Sequence, residues 1–198
     1  MHLDKKILNC FIPDKKWFFD KKQFDSIHGC RHLLRVALWA MLFRKSKRSL
    51  VKVEIIIIAA VLHDIRRHND RGDMGHGLRS ARWVKKNFSI ISKKFNIKFN
   101  ADDIEEIYWL IYFHELPLDL IKLDKNYIKF KESVDIIRMA DAIDRYRLPK
   151  LKWWIDQKKL GIRISDSIKC TAFNFIILSE EYFLKTGLSV DSIIKNIK

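Results

Sequence analysis

The residues best suited to chemistry are histidines and aspartates that recur along the chain at wide spacing. His63 and Asp64 form a dipeptide that closes the apolar run 53–62, at the point where a buried helix would end. His32 comes before this pair and Asp141 comes after it. Imidazole nitrogens and carboxylate oxygens bind Mn, Fe, Ni, Zn or Mg to different degrees. The four residues therefore predict a divalent metal held against a rigid core.

Each of these residues also has a purely structural interpretation. A lone histidine on a helix is more often structural than a ligand, and a His-Asp dipeptide is short enough to arise by chance. Asp141 could pair with Arg145 one turn further along, and Asp64 could pair with Arg67 or Arg138. No HExxH motif is present, which argues against a zincin-type protease.

Composition excludes several classes of protein. The chain has 198 residues, of which 48% are hydrophobic and 12% aromatic, and this fits a folded domain and not a disordered chain. The three cysteines form no CxxC pair, so neither a disulfide framework nor a zinc finger is expected. The run 55–62 is too short to span a bilayer and no secretory signal is visible, so we expect a cytoplasmic protein without a membrane partner.

The elements that must position the four residues are predicted to be helices in a single domain, 1–198. Only 6 glycines and 3 prolines are present, which favours long helices over many short strands. Asp25 or Ser26 is predicted to cap the helix that carries His32. Ser49 is predicted to cap a helix from Leu50 to about Ile65, whose apolar middle is typical of a central bundle helix. Further helices are predicted over about 78–88, 102–113 with Asn100 or Ala101 at its start, from Ser133 toward Pro149, through 153–154 and 171–182, and at the Lys-rich terminus.

Three segments resemble the H…HD…D pattern of the HD-domain metal-dependent phosphohydrolases, in the same order. "IHGCRHLLRVALWA" is similar to the family's first-histidine helix, "AAVLHDIRRH" to its central signature, and "RMADAIDRYRLP" to its final-aspartate helix. The resemblance spans roughly 27–148. It implies an all-α HD-type helical bundle with a buried central helix carrying the HD pair, a motif-bearing core of about 26–148, and C-terminal helices 149–198 packing on that core.

The resemblance assigns the metal ligands residue by residue. His32, His63 and Asp64 take the places of the first ligand and the HD pair, and Asp141, preferred over Asp144, takes that of the last aspartate. The implied cofactor is one divalent transition metal, Mn, Fe, Ni or Zn, with Mg as an alternative.

His76 and His114 match further positions of the family. His76 stands at a helix start in "GHGLRSA", where free backbone N–H groups favour phosphate. His114 lies in "IYFHELP", which resembles the two-histidine-and-glutamate segment of binuclear members, but Phe113 replaces one histidine. One tight metal is therefore expected, with His76 and His114 contacting substrate or weakly holding a second ion.

The implied reaction is hydrolysis of a phosphate ester by metal-activated water. Asp64, a catalytic residue together with His63, is expected to orient or deprotonate the water. Arg66 and Arg67 are expected to neutralise charge on the phosphoryl group, and His28 to hydrogen-bond the site or substrate. The substrate is expected to be an anionic phosphorylated small molecule such as a nucleotide, either a monoester or a diester. Signatures of alarmone hydrolases and of GYP-type phosphodiesterases are absent, so the resemblance selects no particular substrate.

The net charge of +15 supports a different hypothesis. An inactive or weakly active HD-fold module could bind nucleic acid or a nucleotide signal through a basic surface. Segments 15–22 and 85–95 interleave lysines with aromatic residues, as single-strand binding requires. An amphipathic helix with core aromatics and solvated lysines explains the same pattern, so nucleic acid is not the favoured partner.

Overall fold

The computed structural model describes residues 5–197 and, within them, every side chain except that of Lys159. Helix makes up 69% of the structure, and no strand occurs in the described residues. The all-α class predicted from the sequence is confirmed. The α-helices are, in chain order, α1 (Lys5–Cys10), α2 (Cys30–Ser46), α3 (Val53–Leu62), α4 (His76–Lys86), α5 (Phe88–Phe95), α6 (Ala101–Phe113), α7 (Leu118–Ile121), α8 (Lys125–Lys129), α9 (Lys131–Asp144), α10 (Gln157–Leu160), α11 (Asp166–Thr186) and α12 (Ser189–Ile194).

The helix α3 is the centre of the bundle. Every residue from Ile55 to Leu62 is buried, and α3 packs against α2, α6 and α9. A helix that is apolar on all faces can be accommodated only where neighbours cover each face. Because the helix ends at Leu62, the next two residues, His63 and Asp64, emerge at the meeting point of the surrounding helices.

The helix α2 begins later than its predicted cap. The helix α2 starts at Cys30 and not near Asp25 or Ser26, because the chain reverses tightly at Gly29. A Cβ atom at Gly29 would lie 2.3 Å from the carbonyl oxygens of Gln23 and Phe24, so only glycine permits this approach.

The predicted caps differ in outcome. Ser49 does not cap α3, which starts at Val53; its Oγ accepts from the backbone N–H of Val51. Ser133 lies inside α9; its hydroxyl donates to Glu106, and the Phe130 carbonyl lies 3.3 Å away. Asn100 does cap α6, in a capping box with Asp103.

The C-terminal helices pack on the motif-bearing part of the chain. Hydrophobic residues from Leu8 to Ile197 belong to one buried core cluster. The α11 residue Glu180 forms ion pairs with Arg31 and Arg35 of α2, at 3.1 and 2.6 Å. The predicted helix around Trp153 is only a 3-10 turn, Leu151–Trp153. Over the described range, none of the helices has the length and apolarity needed to cross a bilayer.

Candidate metal centre

Three helices bring the four assigned ligands together. His32 lies in the first turn of α2, His63 and Asp64 follow α3, and Asp141 lies in the last turn of α9. From His32 Nε2, the distances are 3.1 Å to His63 Nε2, 3.4 Å to Asp141 Oδ1 and 3.7 Å to Asp64 Oδ2. Residues separated by as many as 109 positions therefore form one buried cluster.

A second pair of histidines adjoins this cluster through Asp64. His76 is the first residue of α4, and His114 directly follows α6. Asp64 Oδ1 lies 3.0 Å from His76 Nε2 and 3.3 Å from His114 Nε2, and these two nitrogens are 3.1 Å apart. Asp64 thus stands between two pairs of imidazoles. Phe113, which stands where the resembled segment has a histidine, is buried in the core and stacks on Trp109.

The four histidines share one orientation. Each turns its Nδ1 toward an oxygen acceptor and its Nε2 toward the centre of the cluster. Oxygen acceptors of this kind only accept, so each Nδ1 donates a proton and, in the neutral ring, Nε2 carries a lone pair. The Nδ1 partners are Asp144 Oδ2 at 2.7 Å for His32, the Ala60 carbonyl at 2.7 Å for His63, the Asp73 carbonyl at 2.6 Å for His76, and the Ile111 carbonyl at 2.6 Å for His114.

This arrangement suits a cation. The lone pairs of His32 Nε2 and His63 Nε2 face each other at 3.1 Å, which is less than about twice the metal–nitrogen bond length of roughly 2.1 Å. The buried Asp64 Oδ1 accepts no hydrogen bond of acceptable geometry from the described residues. Converging imidazole nitrogens and carboxylates could hold a metal ion, and in each of three such groups the ligand atoms lie within 4.8 Å of one another.

The pKa values of His32, His63 and Asp141 favour the protonation states that bind metal. Burial lowers the pKa of His63 to about 4 and that of His32 well below its ordinary value. Burial alone would raise the pKa of Asp141, but charge on His32 and His63 outweighs it and holds that pKa at about 2. At neutral pH these imidazoles are neutral and this carboxylate is ionised, which is the state that ligates metal.

Asp64 and His76 behave as a coupled pair. Burial raises the pKa of Asp64, but the charges of His76 and His63 prevail and hold it well below its ordinary range. Burial lowers the pKa of His76, yet attraction to Asp64 and close contacts with the carboxylates of Asp64 and Glu115 raise it to about 10. A proton on His76 therefore balances the Asp64 carboxylate when no metal is present.

Asp144 supports the cluster from outside. It is fully buried, and besides receiving the His32 Nδ1 proton its Oδ1 accepts from Arg35 Nε at 2.6 Å. Both carboxylate oxygens are thereby committed, so Asp144 orients His32 and leaves the position facing His32 Nε2 to Asp141. The sequence signal for this role is its place three residues after Asp141, on the same helical face.

Part of the cluster, namely Asp64, His76, His114 and Asp141, lines a cavity of about 770 Å³, whereas His32 and His63 are fully buried and do not line it. Arg67 lines it, with Nη1 3.4 Å from Asp64 Oδ2, so the predicted pairing of these two residues is present. The predicted pairing of Asp141 with Arg145 does not occur, because Arg145 Nε donates to the Trp153 carbonyl at 2.7 Å. The cationic side chains lining the cavity are Arg67, Arg71, Arg145, Arg147 and Lys150.

His28 reaches the cavity from a turn and not from the helical face predicted for it, since α2 starts only at Cys30. Its Nδ1 lies 3.3 Å from Asp64 Oδ2 and accepts a hydrogen bond from Arg147 Nη2 at 2.8 Å. Burial lowers the pKa of His28, so the ring is neutral. The proton is then on Nε2, for which the described part of the chain provides no partner.

Arg66 is not brought to the site. Its Nη1 donates to the Trp17 carbonyl at 3.1 Å, and its guanidinium lies 5.4 Å from the Phe19 ring. The residue does not line the cavity. Arg66 and Arg67 lie in the turn after α3, where successive side chains diverge, and tertiary contacts with the N-terminal segment select Arg67 for the cavity.

The two basic segments do not present the expected stacking surface. Trp17, Phe18, Phe88 and Phe95 are all buried in the core, and Phe19 is about half exposed beside His68. The lysines of these segments are exposed. This is the arrangement of amphipathic segments with solvated cations.

Several cavity residues escaped the sequence analysis. Arg147 and Lys150 lie in and after the 3-10 turn Arg145–Arg147, where no periodicity announces them. Glu115 accepts from the backbone N–H groups of Gly75 and Gly77 and contacts His76 Nδ1 at 2.8 Å, so it fixes the start of α4. Its place directly after His114 was the available signal.

Comparison with known proteins returned no matching family model, curated protein or solved structure. The functional assignment therefore depends on the geometry described above.

Proposed function

We propose that this protein is a metal-dependent phosphohydrolase of the HD-domain type, which cleaves a phosphate ester of an anionic small molecule such as a nucleotide. The observation that carries the proposal is the convergence of four imidazole Nε2 atoms and two carboxylates beside a cavity whose lining includes five cationic side chains. Asp64, His76, His114 and Asp141 line this cavity, and His32 and His63 lie buried next to them. Metal ligands beside guanidinium groups are the arrangement that phosphoryl transfer requires.

The tighter ion would be held by His32, His63 and Asp141, with Asp64 at its edge. The donor set of nitrogen and oxygen suits Mn, Fe, Ni or Zn, with Mg as an alternative. A second, weaker ion would use His76 and would share Asp64. It is weaker because His76, whose pKa is raised to about 10, must lose its proton before it can ligate.

A divalent ion in this centre would supply a Lewis acid for the phosphoryl oxygen and would lower the pKa of water from 15.7 toward about 7. The chain's own groups do the rest. Asp64 stays ionised because its pKa is depressed, and it orients the nucleophile. Arg67 and Arg147 offset charge on the phosphoryl oxygens, and His28 Nε2–H donates to the leaving oxygen.

The alternative of a nucleic-acid-binding module has weaker support. The aromatic residues of both basic segments are mostly committed to the core, so stacking of bases on them would require rearrangement. The ligands of the metal centre have no role in such a module.

The test combines metal content with activity. Protein purified without added metal is analysed for bound elements, then assayed on nucleotides, p-nitrophenyl phosphate and its bis-ester with Mn, Ni and Mg. We expect H63A and D141A each to lose bound metal and activity. H68A is the matched control, since His68 lies outside the cluster and stacks on Phe19. Retention of both metal and activity in H63A and D141A would refute the proposal.

A further inference from the structure

A second cavity of about 290 Å³ adjoins the first. The two share the side chains of His114, Glu115, Asp141 and Arg145 as walls. The second cavity adds the cations Arg138 from α9 and Lys152 from the segment after it, together with the carboxylates Asp119 and Asp156. A group bound there would be next to the metal centre and outside the first cavity.

Arg138 is the unusual residue of this cavity. Its side chain is 6% exposed, and the buried Nη1 donates no hydrogen bond within residues 5–197. The neighbouring acid Asp135 is already occupied, because Oδ1 accepts from the Tyr127 hydroxyl at 2.8 Å and Oδ2 from Lys131. Asp141 faces the imidazoles. Burial lowers the pKa of Arg138 while Tyr127 and Asp135 oppose this, and a guanidinium remains charged in any case.

Other buried arginines near the site are paired. Arg35 contacts Asp144 and Glu180, both at 2.6 Å, and Arg147 contacts Asp144 at 3.4 Å. No carboxylate of the described chain lies within ion-pair distance of Arg138. A buried charged donor without an acceptor is unfavourable and requires an explanation, and a guanidinium fork matches the oxygens of a phosphate.

We propose that the second cavity is an anion-binding subsite in which Arg138, assisted by Lys152, holds a phosphate group. The group is either a second phosphate of the substrate or the phosphate that hydrolysis releases. Trp154 also lines this cavity. Its indole N–H donates to the Leu148 carbonyl at 3.0 Å, so it is not free to donate to the anion. The link to the substrate rests on the proposed function, whereas anion binding itself needs neither metal nor turnover.

The test uses the full chain, freed of metal with EDTA, and pyrophosphate or inorganic phosphate as the probe. Binding is measured by calorimetry and by the rise in melting temperature. We expect R138M to raise the pyrophosphate Kd at least about tenfold and to lose most of the rise in melting temperature. K150M is the matched control, because Lys150 lines only the first cavity, and it should leave the component that depends on Arg138 intact.

A second measurement separates binding from a structural role. Arg138 interacts with the Tyr127 side chain, but its Nη1 has no acceptor and it forms no ion pair among the described residues. R138M in phosphate-free buffer should therefore melt at the wild-type temperature or above it. R138K should fold and should retain part of the anion binding. An unchanged Kd in R138M, or an R138M that is strongly destabilised or unfolded without phosphate, would overturn the subsite.

Kinetics on the metal-loaded enzyme distinguish the two sources of the group. A rise in KM in R138M for a nucleoside diphosphate but not for p-nitrophenyl phosphate indicates a second substrate phosphate. A rise only in the inhibition constant of inorganic phosphate indicates the released product. If the wild type binds pyrophosphate through Arg138 but hydrolyses no phosphoester, the proposed function fails and the subsite stands. If the wild type hydrolyses phosphoesters but R138M binds pyrophosphate and turns over substrate just as the wild type does, the subsite fails and the proposed function stands.

Discussion

His32 and His63 turn their Nε2 atoms toward each other at 3.1 Å, while their Nδ1 atoms donate outward to Asp144 and the Ala60 carbonyl. Both rings are neutral at pH 7 because burial lowers their pKa values. Two lone pairs at this distance repel each other unless a cation lies between them. The facing Nε2 atoms thus link the protonation, the orientation and the ligand capacity of the two rings.

Removing the carboxylate that orients His32 should weaken metal binding. D144N leaves every proposed ligand in place but replaces one of the two acceptor oxygens by an amide donor, so that His32 Nδ1 and Arg35 Nε compete for the remaining oxygen. Such changes lower metal affinity by about 10–100-fold. The affinity is measured by competition with a chelator of known strength. D135N is the control on the same helix, because Asp135 is also buried but pairs with Tyr127 and Lys131. Equal metal affinity in D144N and wild type would argue against this role.

Adjacent arginines should differ in their effect on activity. Arg67 lines the cavity beside Asp64, whereas Arg66 donates to the Trp17 carbonyl. We expect R67Q to lower kcat/KM by on the order of 10²-fold, the size of effect seen when one donor to a developing anion is removed. R66Q should retain activity near that of the wild type. A larger loss in R66Q than in R67Q would show that the cavity has been misassigned.

The metal-free protein should lose stability in mild acid. The pKa of His63 falls from 6.5 to about 4 on folding. The unfolded chain therefore binds a proton over this window while the folded protein does not, and the free energy of unfolding falls as the pH falls from 6.5 to about 4. The shift corresponds to about 3 kcal/mol.

Urea unfolding in EDTA across this pH range measures the effect. H63Q should show a shallower pH dependence than the wild type, with a remaining slope from His32, whose pKa is lowered for the same reason. Identical slopes for H63Q and wild type would contradict the assignment of this titration to His63.

The helix α11 should stabilise the site through one carboxylate. Glu180 accepts from Arg35 Nη1 at 2.6 Å and pairs with Arg31, so E180Q should cost about 1–3 kcal/mol of unfolding free energy. The neighbouring E181Q removes only an exposed pair with Lys185 and should leave stability unchanged. Chemical denaturation of the two variants side by side gives the comparison, and equal stabilities would exclude a structural role for Glu180.

Local chemistry made part of this protein predictable. The apolar run 55–62 predicted the central helix, since a segment that is apolar on every face must be covered on every face. Asn100 predicted the start of α6 because its cap depends only on residues three positions apart. Predicted caps at Asp25 or Ser26 and at Ser49 were wrong: α2 starts only at Cys30, after the close approach of Gly29 to Gln23 and Phe24, and α3 starts only at Val53.

The sequence by itself determined that the chain is helical and that His32, the pair His63 and Asp64, and Asp141 come from three separate elements, since both follow from local periodicity and residue type. Tertiary structure alone decided which atoms face one another. It assigned Asp144 to His32 across 112 positions, turned Arg66 away from the cavity, and left Nη1 of the buried Arg138 without an acceptor among the described residues. Such pairings depend on how whole helices pack, and packing energy is shared among many residues, so no single stretch of sequence encodes them.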